Sequence, residues 1–456
     1  MANIFKRSNH SVPSIPFELR EFMKNDTYSL LVKGRSGSGK TTLSLSILRL
    51  LGEKNNFFYI STRSSPKQLI EHYPWLRKII KEPNKDIDSH EVGQNLSSFE
   101  DARLDEPESL FERVTNQLMD VKNPVIIIDS WDSVASLMDR EARLNNERVL
   151  QTWRERAKAK LIFTSEESVE SNLEYIVDGV VELSYQFMDE VRIRSLLLKK
   201  LRGIQINRSL YFFTLKDRIL RCFDGYDPRE FKINDRREKI SKVNNSKQIL
   251  QTGYQDLDSY IGSLPQRGLI TIEKDDSLTD DIVLLFLNDV LHNFSKMHYC
   301  LLLDSSIKDE LILTYKSNIQ NYAKLFTLSL GSPENSFQNE IKEKDDFYKY
   351  IAKVVTGLEG KGKVVSLMRS ISLENFRPSY YDIVDYCRSI KRNFELSILI
   401  LNSNTNREKY YQASDVHLKF LLISGTLFLK CVTPPSALFG LRVVNSIPQI
   451  QLNHVL

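Results

Sequence analysis

The chain contains one stretch with every group needed to hold a polyphosphate: Gly34-Arg35-Ser36-Gly37-Ser38-Gly39-Lys40-Thr41, followed by Thr42. It fits the pattern G-x-x-x-x-G-K-[ST]. Glycines there let backbone N–H groups turn inward around phosphate oxygens, and a following helix adds the partial positive charge of its N-terminus. Lys40 then neutralises the β- and γ-phosphates, and the Thr41 hydroxyl serves as a Mg2+ ligand. A second element, Pro124-Val-Ile-Ile-Ile-Asp129-Ser130, ends an apolar run in an acid. In a buried strand beside the loop, that carboxylate holds Mg2+ through water.

These groups act together only if strands and helices bring them to one place. The apolar run Ser29–Lys33 leads into the loop, and Thr41 to Leu51 continues it as a helix with Leu and Ile at helical spacing. Further strands are expected at 56–61, 124–129, 160–164, 179–184, 192–199 and 210–215. A helix is expected over 106–120, with Leu110, Phe111, Val114 and Leu118 on one face. Residues 225–250 interrupt this rhythm. Between Arg229 and Lys247 there are seven Lys/Arg against three Asp/Glu, the pattern of a solvated connection or a basic partner-binding tether. The alternation restarts at Thr252, with strands expected near 269–274, 298–304, 362–367, 396–401, 416–421 and 426–432. Strand–helix alternation throughout indicates an α/β fold around mainly parallel sheets. The expected organisation is a nucleotide-binding domain over 1–228, a charged linker over 229–250 and a second domain over 251–456.

Composition bounds the rest. A chain of 456 residues that is 41% hydrophobic and 10% aromatic has the make-up of a globular protein with large cores, not a disordered one. A net charge of +4 gives no overall electrostatic case for nucleic acid or a membrane surface. Cys222, Cys300, Cys387 and Cys431 are scattered, which excludes a disulfide scaffold and a zinc ribbon and suits a reducing interior. No apolar run approaches the ~20 residues of a membrane span, so a cytoplasmic protein is expected.

The order of the phosphate loop, Phe57-Phe-Tyr-Ile-Ser-Thr-Arg63-Ser-Ser-Pro66, the Asp129 strand, Ile162-Phe-Thr-Ser-Glu166, Val177-Asp-Gly-Val-Val-Glu-Leu183 and Leu198-Lys-Lys-Leu-Arg-Gly203 resembles the RecA/KaiC/RadA-type ATPase core. Within that group, Tyr73-Pro-Trp75, the string Asp101 to Arg113 and Asp129-Ser-Trp-Asp132 resemble the archaeal GvpD P-loop family, named for a gas-vesicle regulator. The resemblance covers roughly residues 14–224. It implies ATP and Mg2+ as ligands and a protein partner under regulatory control. It also implies that Lys200 and Arg202, in the family's Lys-x-Arg pair, reach the γ-phosphate held by a neighbouring subunit of a ring or filament. Period-2 alternation aims both at one side. Glu166 resembles a position near the phosphates and, with Lys40 and Asp129, completes the catalytic candidates.

One departure matters. The family carries a catalytic carboxylate just after the second strand, and here that place reads Thr62-Arg63-Ser64. Binding survives without it, but water activation does not, so slow turnover is expected, with Asp129, Asp132 or Glu166 as substitutes. Arg63 either senses the γ-phosphate or makes a surface ion pair.

The second half resembles a copy of the same core. Thr252-Gly253 to Asp258 and Ile261 to Gly268 look like the family's entry motif, and Leu269–Lys274 leads to where a phosphate loop belongs. That place holds Lys274-Asp-Asp-Ser-Leu-Thr-Asp280, with Asp280 where lysine would stand and Arg369 where the metal-side acid would. The expected fold is therefore two tandem RecA-like cores, the second without nucleotide chemistry. An unrelated α/β interaction domain is the alternative. The expected function is a Mg-ATP-binding regulator whose nucleotide state controls assembly or a partner. The alternatives are a RadA-like recombination ATPase on single-stranded DNA and a pseudo-ATPase that does not cycle.

Overall fold

A computed structural model of the chain describes residues 14–51, 56–78, 97–103, 106–118, 121, 123–166, 173–188, 191–227, 250–311, 325–328, 344–374, 379–402, 407–435, 438–444 and 449–455. The linker expected over 229–250 lies outside these residues except for Leu250. The chain divides into two compact units, Met1–Phe223 (with Val455–Leu456) and Asp224–His454. No helix among the described residues is long and apolar enough to cross a membrane.

The first unit is built on nine strands: β1 Tyr28–Gly34, β2 Phe57–Ser61, β3 Ser97–Asp101, β4 Val125–Asp129, β5 Lys160–Ser165, β6 Gly179–Met188, β7 Val191–Leu201, β8 Leu210–Thr214 and β9 Arg221–Cys222. They form one sheet in the order β3-β2-β4-β5-β1-β6-β7-β8-β9. Pairing is parallel from β3 through β6 and antiparallel from there to β9. β1 runs between β5 and β6, and every one of its residues is buried. Parallel strands covered on both faces read as unbroken apolar runs, which is why 28–34 and 125–129 stood out in the sequence. Side-chain alternation sends Leu30 and Val32 into one core, with Leu43 and Ile47 of the helix Lys40–Leu51. Leu31 goes to the opposite core, with Phe58, Ile126, Trp131 and Trp153.

The second unit has β10 Gly268–Lys274, β11 Cys300–Asp304, β12 Leu325–Leu328, β13 Val364–Arg369, β14 Leu396–Ile400, β15 Val416–Ile423, β16 Thr426–Thr433, β17 Leu438–Val444 and β18 Gln449–His454. Their order is β12-β11-β13-β14-β10-β15-β16-β17-β18. Counted from the first strand of each unit, this is the order of the first sheet, with the same switch from parallel to antiparallel after the sixth strand. The chain is thus two tandem α/β cores of RecA-like type.

The repeat extends to individual bonds. In the first sheet the Asp178 carboxylate accepts from the N–H (3.0 Å) and Oγ (2.9 Å) of Ser29, near the start of β1. Arg154 pairs with the same carboxylate at 2.7 Å. In the second, Asp415 accepts from the Leu269 N–H at 2.8 Å, and Lys391 pairs with it at 2.7 Å. Arg154 reaches this carboxylate from the helix Arg140–Arg156.

Candidate nucleotide site

The loop between β1 and the helix Lys40–Leu51 turns through Gly34, Gly37 and Gly39, whose φ angles are +153°, +76° and +109°. L-residues adopt these angles only under strain. A Cβ at Gly34 would also lie 2.3 Å from the Leu183 carbonyl oxygen and 2.7 Å from Ser38 Oγ. These constraints explain the glycines without appeal to a ligand. Two further observations point to one. The Lys40 ammonium, on a side chain only 7% exposed, donates to the carbonyls of Gly34 and, at 3.1 Å, Arg35, so it sits inside the curve of the loop. Fully buried Ser38 Oγ has no hydrogen-bond partner among the described residues. Burial pushes the Lys40 ammonium below the usual lysine range, with the Glu166, Asp129 and Asp132 carboxylates opposing that shift. A desolvated cation and an unsatisfied hydroxyl in a glycine-lined loop fit phosphate oxygens.

The metal side is equally specific. Thr41 Oγ1 donates to Asp129 Oδ2 at 2.7 Å, which brings helix start and strand end together. Tyr59 donates to the same oxygen at 2.6 Å, and Thr164 donates to Oδ1 at 2.6 Å. The register explains this convergence: Ser61 is level with Asp129, so Tyr59 lies two residues back on the same face. Residue 164 follows Phe163, the partner of Ile128. A hydroxyl facing a carboxylate that is oriented by two more hydroxyls is an oxygen set suited to Mg2+. Tyr59 and Thr164 were not singled out from sequence. The only available signal was a hydroxyl at a strand end, which means nothing until the register is known. Thr42 turns away from this oxygen set and meets Tyr73 OH at 2.9 Å.

The two remaining acids lie just after β4 and β5. Asp132 accepts from Ser165 Oγ at 2.9 Å and from the Glu166 N–H. Glu166 pairs with Arg63 at 2.7 Å, and that contact holds its carboxyl below the usual range. The position after the second strand is therefore basic in space as well as in sequence, with the acid facing it from β5.

Lys200 and Arg202 lie elsewhere. Lys200 donates to the carbonyls of Glu174 (3.2 Å) and Val177 (2.7 Å), and Arg202 pairs with Asp178 at 3.0 Å. Asp178 marks the start of β1 and the loop marks its end, so the seven residues of β1 put about 20 Å between the pair and this chain's own loop. The two side chains gather at one corner, although β7 has a register shift beside Lys200 and ends at Leu201.

The second unit differs at each corresponding point. Lys274 ends β10 where Gly34 ends β1, and six residues later Asp280 opens a helix where Lys40 does. No residue from 274 to 280 has a positive φ. Lys274 donates to the Leu278 carbonyl at 2.7 Å and pairs with Asp280 at 3.3 Å. Arg369, level with Ile400 and Ile272, occupies the register of Asp129, which is level with Thr164 and Val32. It pairs with Glu310 at 2.7 Å and approaches Asp280 at 3.7 Å. No cluster of three or more His, Cys, Asp or Glu suited to a metal occurs among the described residues.

Comparison with known proteins agrees with the first unit. Residues 19–201 match the family described as GvpD gas vesicle protein, P-loop domain. Protein GvpD2 of Halobacterium salinarum is 26% identical over 301 residues, covering 63% of this chain and 60% of that protein. Protein GvpD1 of the same organism is 28% identical over 276 residues, covering 56% and 49%. The chain thus spans only about half to three-fifths of the length of these relatives. The resemblance read from the motifs is borne out for residues 19–201, which are similar to the GvpD P-loop domain.

Proposed function

We propose, from the premise that residues 19–201 form a GvpD-type P-loop domain, that this chain binds Mg-ATP and acts as a regulator whose nucleotide state controls its own assembly or a protein partner. The observation that carries this reading is the approach of Thr41 to Asp129 beside the buried Lys40 ammonium. The loop amides, Ser38 and Lys40 would hold the phosphates, and Thr41 and Asp129 would hold the metal. Bound Mg2+ supplies charge neutralisation between the phosphates. Lys40 orients and neutralises the phosphate chain, while Tyr59 and Thr164 keep Asp129 aimed at the Thr41 hydroxyl.

The place of Lys200 and Arg202, remote from their own loop, supports a role toward the loop of a neighbouring copy, as the resemblance implies. The second unit, with internal ion pairs at the corresponding positions, is read as an anchoring or transmitting core without nucleotide. Nucleotide titration combined with mass measurement in solution tests the proposal. One Mg-ATP per chain, with a rise in mass on binding, is expected. Absence of any affinity for nucleoside triphosphates, or occupancy mapped to residues 224–454, overturns it. ATP-stimulated, salt-dependent binding to single-stranded DNA would favour the recombination reading instead.

A further inference from the structure

Three carboxylates surround the phosphate loop, and their bonding separates them. Asp129 has both oxygens occupied by hydroxyl donors, and Asp132 has both occupied by Ser165 and the Glu166 N–H. These are fixed positioning contacts. Glu166 differs: among the described residues its carboxylate is paired with the Arg63 guanidinium alone, and Arg63 with no other side chain. Both side chains are partly exposed, 49% for Arg63 and 30% for Glu166, so the pair is open to exchange rather than locked in the core. Asp132 fixes the backbone that carries Glu166, which places this carboxylate rigidly while leaving its salt-bridge partner free to change. Both charges act electrostatically on Lys40, so the pair lies within reach of the field of anything bound in the loop.

We propose that Arg63 and Glu166 form an exchange couple: the γ-phosphate of bound ATP takes Arg63 away from Glu166, and the released carboxylate then accepts the proton of the attacking water. This rests on the nucleotide-binding reading above and adds a regulation to the same site. The physical argument is competition for one guanidinium. A terminal phosphate bears more charge than a carboxylate and accepts two parallel N–H bonds from arginine. ADP lacks that group and leaves the pair closed. While paired, Glu166 is a poor base, because the guanidinium stabilises its ionised form. In the step itself, the water oxygen bonds to the γ-phosphorus and the bond from that phosphorus to the β–γ bridging oxygen breaks, its electron pair leaving with ADP. The water proton passes to Glu166 and from there to the released phosphate. The acid missing after the second strand is thereby supplied from the fifth, under the control of the basic residue that replaced it.

The test measures ATP and ADP affinities and single-turnover phosphate release for the full chain, as wild type, Arg63→Ala, Arg63→Lys, Glu166→Gln and the double variant Arg63→Ala/Glu166→Gln. Expected for Arg63→Ala is a roughly tenfold loss of ATP affinity with ADP affinity unchanged, partly restored by Arg63→Lys. Glu166→Gln should tighten ATP several-fold, by removing the competitor, and cut phosphate release at least a hundredfold. In the Arg63→Ala background the tightening should vanish, which a merely structural role for either residue would not produce. Equal losses for ATP and ADP in Arg63→Ala overturn the exchange, as does a Glu166→Gln variant with unaltered ATP affinity or wild-type phosphate release. Wild type that binds no nucleotide at all instead sinks the parent reading, so the two failures are distinguishable.

Discussion

At the end of its central strand, the first sheet presents a glycine-turned loop, a lysine and, across from them, an acid. The second sheet presents the same loop length and strand order with the signs reversed: Asp280 at the helix start, Arg369 opposite, and Lys274 closing the gap. One arrangement leaves a cation and a hydroxyl wanting an anion, whereas the other satisfies its charges internally. The inversion continues one residue earlier. Lys33 of β1 pairs with Glu174, while Glu273 of β10 pairs with Arg407 and Lys419 and accepts from Tyr411, with His417 at 3.3 Å. A shared strand order thus carries opposite electrostatics, and a small set of residues separates the end with a buried lysine and an unsatisfied hydroxyl from the end closed by ion pairs.

The sharpest way to break this contrast is Lys40→Ala. It should lower Mg-ATP affinity by about a thousandfold, or ~4 kcal/mol, in a binding titration. Asp280→Lys should gain no affinity in return, because its loop has no left-handed positions to turn amides inward. Second comes Glu273→Gln, expected to cost about 3 kcal/mol in urea unfolding at neutral pH, since it strands Arg407 and Lys419 around a buried site. Lys33→Met should cost under about 1 kcal/mol, because Glu174 reaches solvent. Equal effects would deny that the second unit depends on its internal pairs.

The same glutamate makes the contrast pH-dependent. Burial alone would raise its carboxyl, but hydrogen bonds from His417, Tyr411 and Lys419 bring it down to about 2, from an ordinary 4.5. A depressed carboxyl stabilises the fold above its unfolded value and loses that contribution as pH falls toward the folded one. Stability should therefore decline between about pH 4.5 and 2 in wild type, and Glu273→Gln should flatten that part of the profile. Third, Thr164→Val gives the first unit the apolar character of Ile400 at that register. Removing one donor from Asp129 should raise the Mg2+ needed for half-maximal nucleotide binding about tenfold. The smallest effect is expected for Arg369→Asp: no second nucleotide bound by mass measurement, and a loss of about 1 kcal/mol as Asp280 and Glu310 lose their cation.

The parts of this picture visible in sequence are those where one residue type has one physical use. The glycine–lysine loop, the run ending in Asp129 and the buried strands of both parallel halves belong to that class. Ser97–Asp101 escaped because it is a polar edge strand, and Arg221–Cys222 because two residues carry no period. Leu325–Leu328, Leu438–Val444 and Gln449–His454 are defined by pairing at the far margins of the second sheet. The two hydroxyl donors to Asp129 were hidden for a different reason. Their meaning depends on which strands adjoin and at what register, and neither is written locally. The link from Arg63 to Glu166 spans 103 positions of chain, so only the folded sheet reveals it.

The aspartates that clamp the beginnings of the two central strands have a consequence for how such a protein can change. Asp178 and Asp415 each accept a backbone N–H at the foot of the central strand, whatever stands at its tip. The foot of each strand is thus held alike, while the residues at its tip, some seven residues away, differ in kind. Such a division lets one scaffold carry a glycine-turned lysine loop at one tip and internal ion pairs at the other.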